Sequence, residues 1–195
     1  MSNEEKKQII IQVSKELFAT KGYHSTSVSD IINKAGIARG TFYLYFDSKR
    51  AVFENIINSA LIKIKNSVKP IDLNAVDKED ILKQLRINLS HIITPLFNDK
   101  LLASIFVTQA ENLDFEANLK IIDFYTTLSD WLAQSLKIGQ ENGIIRQINT
   151  EIMAIALIGA IKSVIWAHSV AKRELDPHEV VEELTVLVSK GIVTL

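Results

Sequence analysis

The stretch "GIARGTFYLYF", residues 36–46, places four aromatic side chains within five consecutive positions, directly after an arginine, a glycine and a threonine. On a helical wheel, Phe42 and Phe46 share one side of a short helix, since residues four apart lie one turn from each other. We expect this side to face the protein core. Arg39 and Tyr43 occupy the neighbouring arc and are predicted to face outward.

Helical patterns also surround this stretch. Helices are predicted over about 4–21, over 28–35 after the capping pair Ser27 and Asp30, over about 38–46, and over about 48–68 after a cap at Asp47 or Ser48. Gly36 ends the second helix and begins a short turn before the third. Two short helices joined by a glycine-containing turn, with a helix on either side, form a helix-turn-helix.

The outward face of the third helix has the chemistry of a major-groove reader. Arg39 can donate two parallel hydrogen bonds to a guanine edge, Tyr43 can contact a base edge or a thymine methyl, and Gly40 permits close approach. Hydroxyl and ammonium groups nearby can hold phosphates. The predicted DNA-binding residues are Thr26, Ser27, Ala38, Arg39, Gly40, Thr41, Tyr43, Tyr45 and Lys49.

Composition narrows the function classes. The chain has 195 residues and is 47% hydrophobic, with only 7 Gly and 3 Pro, which favours long helices. The absence of cysteine excludes disulfides and zinc-thiolate sites. The four histidines have no metal-binding spacing, and no catalytic or nucleotide-binding motif occurs. We therefore predict no catalytic residue, metal or cofactor, and we do not expect an enzyme.

Charge and organisation divide the chain unevenly. Residues 1–66 carry ten Lys/Arg and six Asp/Glu, a balance that favours contact with a polyanion near the N-terminus. Further helices are predicted over about 78–98, 100–113, 116–142, 150–172 and 177–193, the last capped by Asp176 and Pro177. The sequence thus predicts an all-α protein of about nine helices: a DNA-binding domain over 1–47 and a larger helical domain over 48–195, with 48–68 as connector.

Residues 18–53 resemble the N-terminal DNA-binding region of TetR-family transcriptional regulators. The matching positions are Phe18, Gly22, Tyr23, Thr26, Ile31, Ala35, Gly36, Gly40, Thr41, Phe42, Tyr43, Phe46, Ser48, Lys49 and Phe53. Ala38 is a departure, since the family often has serine or threonine there. The resemblance implies a homodimer that binds a palindromic operator. It also implies that the second domain binds a small-molecule effector, so that the protein acts as a ligand-responsive repressor.

The second domain offers candidates for both implied roles. Apolar residues at helical spacing in the last two helices are predicted to form the dimer interface: Ala154, Ile158, Ile161, Ile165, Val181, Leu184, Leu187 and Val188. Both helices are also apolar outside these stripes, so the alternative is that they lie inside one protomer. An apolar pocket with few polar groups is predicted from Phe106, Gln109, Asn112, Phe124, Tyr125, Trp131 and Trp166, and favours a largely apolar effector.

Two alternatives concern the whole protein. Residues 152–171 have the length of a membrane span, but Lys162 lies at the midpoint, which is costly in lipid and favours a buried helix of a cytoplasmic protein. The N-terminus is polar and has no apolar core of a signal peptide.

If the second domain has a filled core, the protein is a constitutive helix-turn-helix DNA-binding protein without an inducer.

Overall fold

The computed structural model describes residues 2–70, 72, 78–108 and 115–193. Within these residues the fold is all-α, with nine helices: α1 (Asn3–Lys21), α2 (Val28–Ala35), α3 (Arg39–Tyr43), α4 (Lys49–Ser67), α5 (Lys78–Asn98), α6 (Lys100–Thr108), α7 (Phe115–Glu141), α8 (Thr150–Ser169) and α9 (Pro177–Ile192). The predicted fold class is confirmed. The end of the helix predicted to reach residue 113 lies outside the described residues.

Local signals set the helix boundaries as expected. Ser27 and Asp30 form a capping box at the start of α2, and Ser48 caps α4 by accepting a hydrogen bond from the Ala51 N–H at 3.1 Å. Gly36 ends α2 in the left-handed conformation, with φ 64° and ψ 33°, which glycine adopts readily because it has no Cβ atom. This glycine turns the chain so that α3 leaves at an angle from α2.

The N-terminal helices share an aromatic core. Phe18, Phe42 and Phe53 are almost fully buried, and Tyr23 packs against both Phe18 and Phe53 with ring centroids 5.4 and 5.0 Å away. Phe53 lies on α4, so the helix-turn-helix core needs the first half of that helix. The buried cluster continues without a break through α5, α6, α8 and α9.

The second half packs around α8. This helix contacts α5, α6 and α7, while α9 lies against α5 and α1 against α6. By length and composition α8 could cross a membrane. Its Ala154 and Ile165 are buried against neighbouring helices, and His168 is buried with its ring stacked on Phe97 at 4.1 Å. These contacts involve one side of α8, because Ile152, Ile155 and Trp166 on the same helix are exposed.

Candidate nucleic-acid interface and effector cavity

The third helix presents the two faces that its sequence predicts. Phe42 is 0% and Phe46 is 6% exposed, whereas Tyr43 is 43% exposed and Arg39 lies in solvent. The Arg39 guanidinium lies 5.8 Å from the centroid of the Tyr43 ring, so the two outward side chains stand together. Gly40 is exposed and lies one position after Arg39. A cation, a phenol and a backbone without bulk therefore share one surface.

The start of α3 is held by its backbone alone. Ala38 occupies the N-cap position without a side-chain hydrogen bond, and its carbonyl accepts from the Thr41 N–H at 2.9 Å. Thr41 is half-buried, and Tyr45 packs partly against the core on the opposite flank from Arg39. The predicted residues of this helix thus surround it, and only one flank combines exposure with hydrogen-bond donors.

Thr26 does not present its hydroxyl to a ligand. Its side chain is 1% exposed, and Oγ1 donates a hydrogen bond to the Gly22 carbonyl at 2.8 Å. The prediction that this hydroxyl reaches phosphate therefore needs correction: in the structure it stabilises the turn between α1 and α2. A serine or threonine pattern in sequence does not reveal whether a nearby carbonyl already takes the proton.

Ser27 lies on the surface and is engaged in the capping box. Its Oγ accepts from the Asp30 N–H at 3.0 Å and donates to the Asp30 carboxylate at 2.7 Å. Lys21 donates to the same carboxylate at 2.9 Å, and this ammonium, followed by the Ser27 backbone and hydroxyl, holds the pKa of Asp30 well below its usual range. Asp30 is therefore a fixed anion that anchors α2 to the end of α1.

Lys49 folds back onto the protein. Its ammonium donates to the Tyr23 carbonyl at 2.7 Å and lies 4.3 Å from the centroid of the Tyr23 ring. The side chain ties the first turn of α4 to the turn before α2. The prediction gave Lys49 a phosphate contact, whereas the structure gives it a bridging position within the helix-turn-helix.

Two neighbouring cavities occupy the second half of the molecule. The larger, about 500 Å³, lies among α4, α5, α6, α7 and α8, and the smaller, about 250 Å³, extends toward α9. They share a wall formed by Val68, Pro70, Ile92, Leu128, Trp131, Ile158 and Ile161. Ile62 and Trp131 line the larger cavity and are also 58% and 41% exposed, so it reaches the surface between α4 and α7.

The cavity lining differs in part from the predicted pocket. Phe106, Tyr125 and Trp131 line the larger cavity, and burial raises the pKa of the Tyr125 hydroxyl, which keeps it protonated. Trp166 is 47% exposed and lines neither cavity. Gln109, Asn112 and the side chain of Phe124 lie outside the described part of the structure.

Two lysines border the larger cavity and were not among the predicted pocket residues. Lys162 lies with its ammonium 5.4 Å from the Tyr125 ring centroid, and Lys65 comes from the last turns of α4. None of the described lining residues is acidic. The signal was visible in the sequence, because a lysine in the middle of an apolar helix is costly unless it reaches solvent or an anion.

The residues predicted at the dimer interface mostly face their own protomer. Ala154, Ile165, Val181 and Leu184 are buried, and Ile158, Ile161 and Val188 line the cavities; Leu187 is 55% exposed. The exposed apolar side chains of α8 and α9 are instead Ile152, Ile155, Trp166, Val186 and Leu187. Both helices are apolar on two sides, and periodicity alone does not tell which side faces inward.

Comparison with known proteins shows which proteins this chain is similar to. Residues 10–56 match the family model for bacterial regulatory proteins of the tetR family. YdgC of Bacillus subtilis, an uncharacterized HTH-type transcriptional regulator, is 26% identical over 161 residues, which cover 81% of this chain and 78% of YdgC. The relative found here is a regulator of transcription, and its match extends well beyond the helix-turn-helix.

Solved structures share the whole fold. The fatty acid degradation regulator FadR of Bacillus halodurans is 26% identical with a TM-score of 0.73, and the match covers 95% of each chain. FadR of Bacillus subtilis, solved in complex with stearoyl-CoA, is 22% identical with a TM-score of 0.72, covering 94% of this chain and 98% of that one.

Proposed function

We propose that this chain, whose residues 10–56 match the tetR family model, is a dimeric repressor of the TetR family that binds a palindromic operator in the cytoplasm and is released by a small effector. In each protomer, α3 enters the major groove. Arg39 and Tyr43 reach the base edges, where a guanidinium can donate two hydrogen bonds to guanine.

Phosphate contacts position this helix. We assign them to the hydroxyl of Tyr45, on the other flank of α3, and to backbone N–H groups in the first turn of that helix, since the hydroxyls of Thr26 and Ser27 already donate within the protein. Lys49 contributes indirectly, because its ammonium holds α4 against Tyr23. Such contacts fix the register of the protein on the duplex without reading its sequence.

The observation that carries the effector response is the pair of cavities. A volume of about 500 Å³, beside a second of about 250 Å³, lies in the range of small-molecule sites. The alternative, a constitutive DNA-binding protein without an inducer, expects a filled core in this region. The cavities favour the sensor.

The lining indicates the chemical class of the effector. Every residue of the shared wall is aliphatic or aromatic, while Lys65 and Lys162 supply positive charge at the larger cavity. A long apolar chain with an anionic head group satisfies both features. FadR of Bacillus subtilis, which has the same fold, was solved with stearoyl-CoA. We assign the effector of this chain to the same class, an acyl chain on an anionic carrier, which refines the largely apolar ligand expected from sequence.

Two helices connect the cavity to the DNA-binding surface. Leu61, Ile64 and Lys65 of α4 line the larger cavity, and the same helix supplies Phe53 to the helix-turn-helix core. Phe106 and Val107 of α6 also line it, and the first turn of α6 is tied to α1 by the ion pair between Lys15 and Asp99. A ligand that binds one arrangement of these helices tenfold better shifts the balance by about 1.4 kcal/mol per site.

The exposed apolar residues of α8 and α9 form the proposed dimer contact. Ile152, Ile155, Trp166, Val186 and Leu187 belong to α8 and α9, the last two helices of the described chain. Two copies of this surface would pair as a four-helix interface about a two-fold axis. A two-fold dimer places two α3 helices on successive major grooves of a palindrome.

Competition between DNA and ligand tests the proposal. Genomic fragments retained by the protein define the operator, and fluorescence anisotropy then measures its release by stearoyl-CoA, stearate and coenzyme A alone. We expect release by stearoyl-CoA at the lowest concentration and none by coenzyme A, which lacks the chain. Specific DNA binding that no acyl ligand changes would instead support the constitutive protein.

A further inference from the structure

Leu44 has no role in the protein that explains its position. It is 79% exposed, more than any other large apolar side chain in the described residues, and directly follows Tyr43. Its backbone stays helical, with φ −70° and ψ −24°, and its N–H donates to the Gly40 carbonyl at 3.1 Å. Leu44 therefore continues the geometry of α3 and points as a residue of that helix would.

Leu44 and Gly40 form the ridge of α3 that lies farthest from the core. At 100° per residue they are one turn apart and opposite Phe42 and Phe46, both of which are buried. Arg39 and Tyr43 stand on one flank of this ridge. Leu44 is therefore an apolar side chain at the centre of the surface that faces DNA, and in the free protein it is exposed to water.

Gly40 supplies a second, independent observation. A Cβ atom built on Gly40 would meet nothing within 4 Å, and the residue does not have a positive φ. Glycine lowers helix stability relative to alanine, so nothing within the fold requires it here. A surface outside the protein that approaches the α3 backbone closely does require it.

We infer that Leu44 contacts the methyl group of a thymine in each half-site, with Gly40 allowing the helix to sit deep enough for that contact; this inference rests on the proposed function. The thymine methyl is the apolar group that base pairs present in the major groove. Leu44 thus makes the protein sensitive to a methyl group rather than to a hydrogen-bond pattern.

Replacing thymine by uracil removes this methyl group and nothing else. With the operator in hand, each thymine is replaced in turn, and the dissociation constant is measured for the wild type and Leu44→Ala. We expect the wild type to lose about fourfold at one position in each half-site, the effect of one buried methyl group. Leu44→Ala should bind the thymine and uracil operators equally. Ile87→Ala, which shortens an exposed isoleucine of α5, serves as the control and should keep the full methyl effect.

Gly40→Ala tests the close approach separately. Its thermal midpoint should equal or exceed that of the wild type, while operator affinity should fall at least tenfold because the added methyl holds the helix away from the groove. Gly40→Ala that binds normally, or a wild type indifferent to every thymine methyl, overturns the inference while leaving operator binding in place. A wild type that retains no specific DNA overturns the proposed function as well.

Discussion

At the scale of single residues, the orientation of α3 could be predicted from sequence because its two sides differ. Phe42 and Phe46 lose most by exposure, so their burial fixes the outward direction of Arg39 and Tyr43. Thr26 and Lys49 were harder to assign, because both can either hold phosphate or bond the backbone. Their partners, the carbonyls of Gly22 and Tyr23, lie in a turn whose path depends on the packing of three helices.

Arg39→Ala should weaken specific operator binding by about 1–3 kcal/mol, since a bidentate contact to guanine is lost. Preference at one base position per half-site should relax, which competition with operators altered at single positions will measure. Arg173→Ala, which removes an exposed arginine beyond α8, provides a charge-matched control. Unchanged discrimination by Arg39→Ala would place that side chain off the bases.

Lys49→Met should lower the free energy of unfolding by about 1–2 kcal/mol, because a charged hydrogen bond and a contact with the Tyr23 ring are lost while the apolar stem is kept. For a chain of this size the thermal midpoint should fall by roughly 2–8 °C. If Lys49 instead grips phosphate, as the sequence predicts, the midpoint will stay constant and the salt dependence of operator binding will decrease.

At the scale of helices, the sequence predicted where helices begin and end, but it did not predict which side of α8 faces the core. Ser27, Ser48 and Asp176 cap their helices as predicted, since a cap depends on residues within one turn. The inward side of α8 depends on where α5, α6 and α7 lie, and this information is absent from α8 itself. Its Ile155 and Ile158 are equally apolar, yet Ile155 is 64% exposed and Ile158 lines a cavity.

The Asp30 cap should make the N-terminal helices sensitive to acid. The pKa of Asp30 is lower in the folded protein than in the unfolded chain, so its stabilising effect is complete above about pH 5 and is lost as pH falls through and below the unfolded aspartate pKa of about 3.9. Asp30→Asn should therefore melt below the wild type at pH 7, and the gap should narrow toward pH 3. Thermal melts followed by circular dichroism across this range measure it. An unchanging gap would mean that the carboxylate charge has no part in the cap.

At the scale of the whole molecule, the cavities and the oligomer depend on several helices at once. Val68 of α4, Ile92 of α5 and Leu128 of α7 meet in the shared wall although they are far apart in sequence. The pocket was predicted from aromatic residues in the sequence. Phe106, Tyr125 and Trp131 do line the cavity, but Trp166 lies on the outer surface of α8. Residue type predicts an apolar environment, and only packing determines whether that environment is a pocket or an outer face.

Ile155→Glu should convert the dimer to a monomer, because it places a charge in the apolar face proposed to pair between protomers. Light scattering after size-exclusion chromatography will measure the mass, and operator affinity should fall with it. Ile158→Ala, one turn along the same helix, should leave the dimer intact and lower the thermal midpoint, since it faces the cavities. The reverse pattern would restore the interface predicted from sequence.

Lys162→Met should raise the concentration of stearoyl-CoA needed for operator release about tenfold, because a charge-assisted contact to the anionic group is lost. Neutral stearyl alcohol should bind both proteins alike, as measured by thermal shift. Lys83→Met, which changes an exposed lysine of α5 outside the lining, should match the wild type. If Lys162→Met changes the binding of the charged and the neutral ligand by the same factor relative to the wild type, the head group lies elsewhere.

The packing of α1 against both α4 and α6 affects how DNA-binding parts could be exchanged between related regulators. A chimera joined at residue 47 would take Phe42 from one parent and Phe53 from the other. The aromatic core to which both belong would then be formed by unmatched residues. A graft that keeps residues 2–68 together would still separate Lys15 from Asp99, which lies between α5 and α6, so a host with an acidic residue at that place would preserve the ion pair. Exchange of the DNA-binding part between related proteins therefore involves the face of α1 that packs against α6 as well as the helix-turn-helix itself.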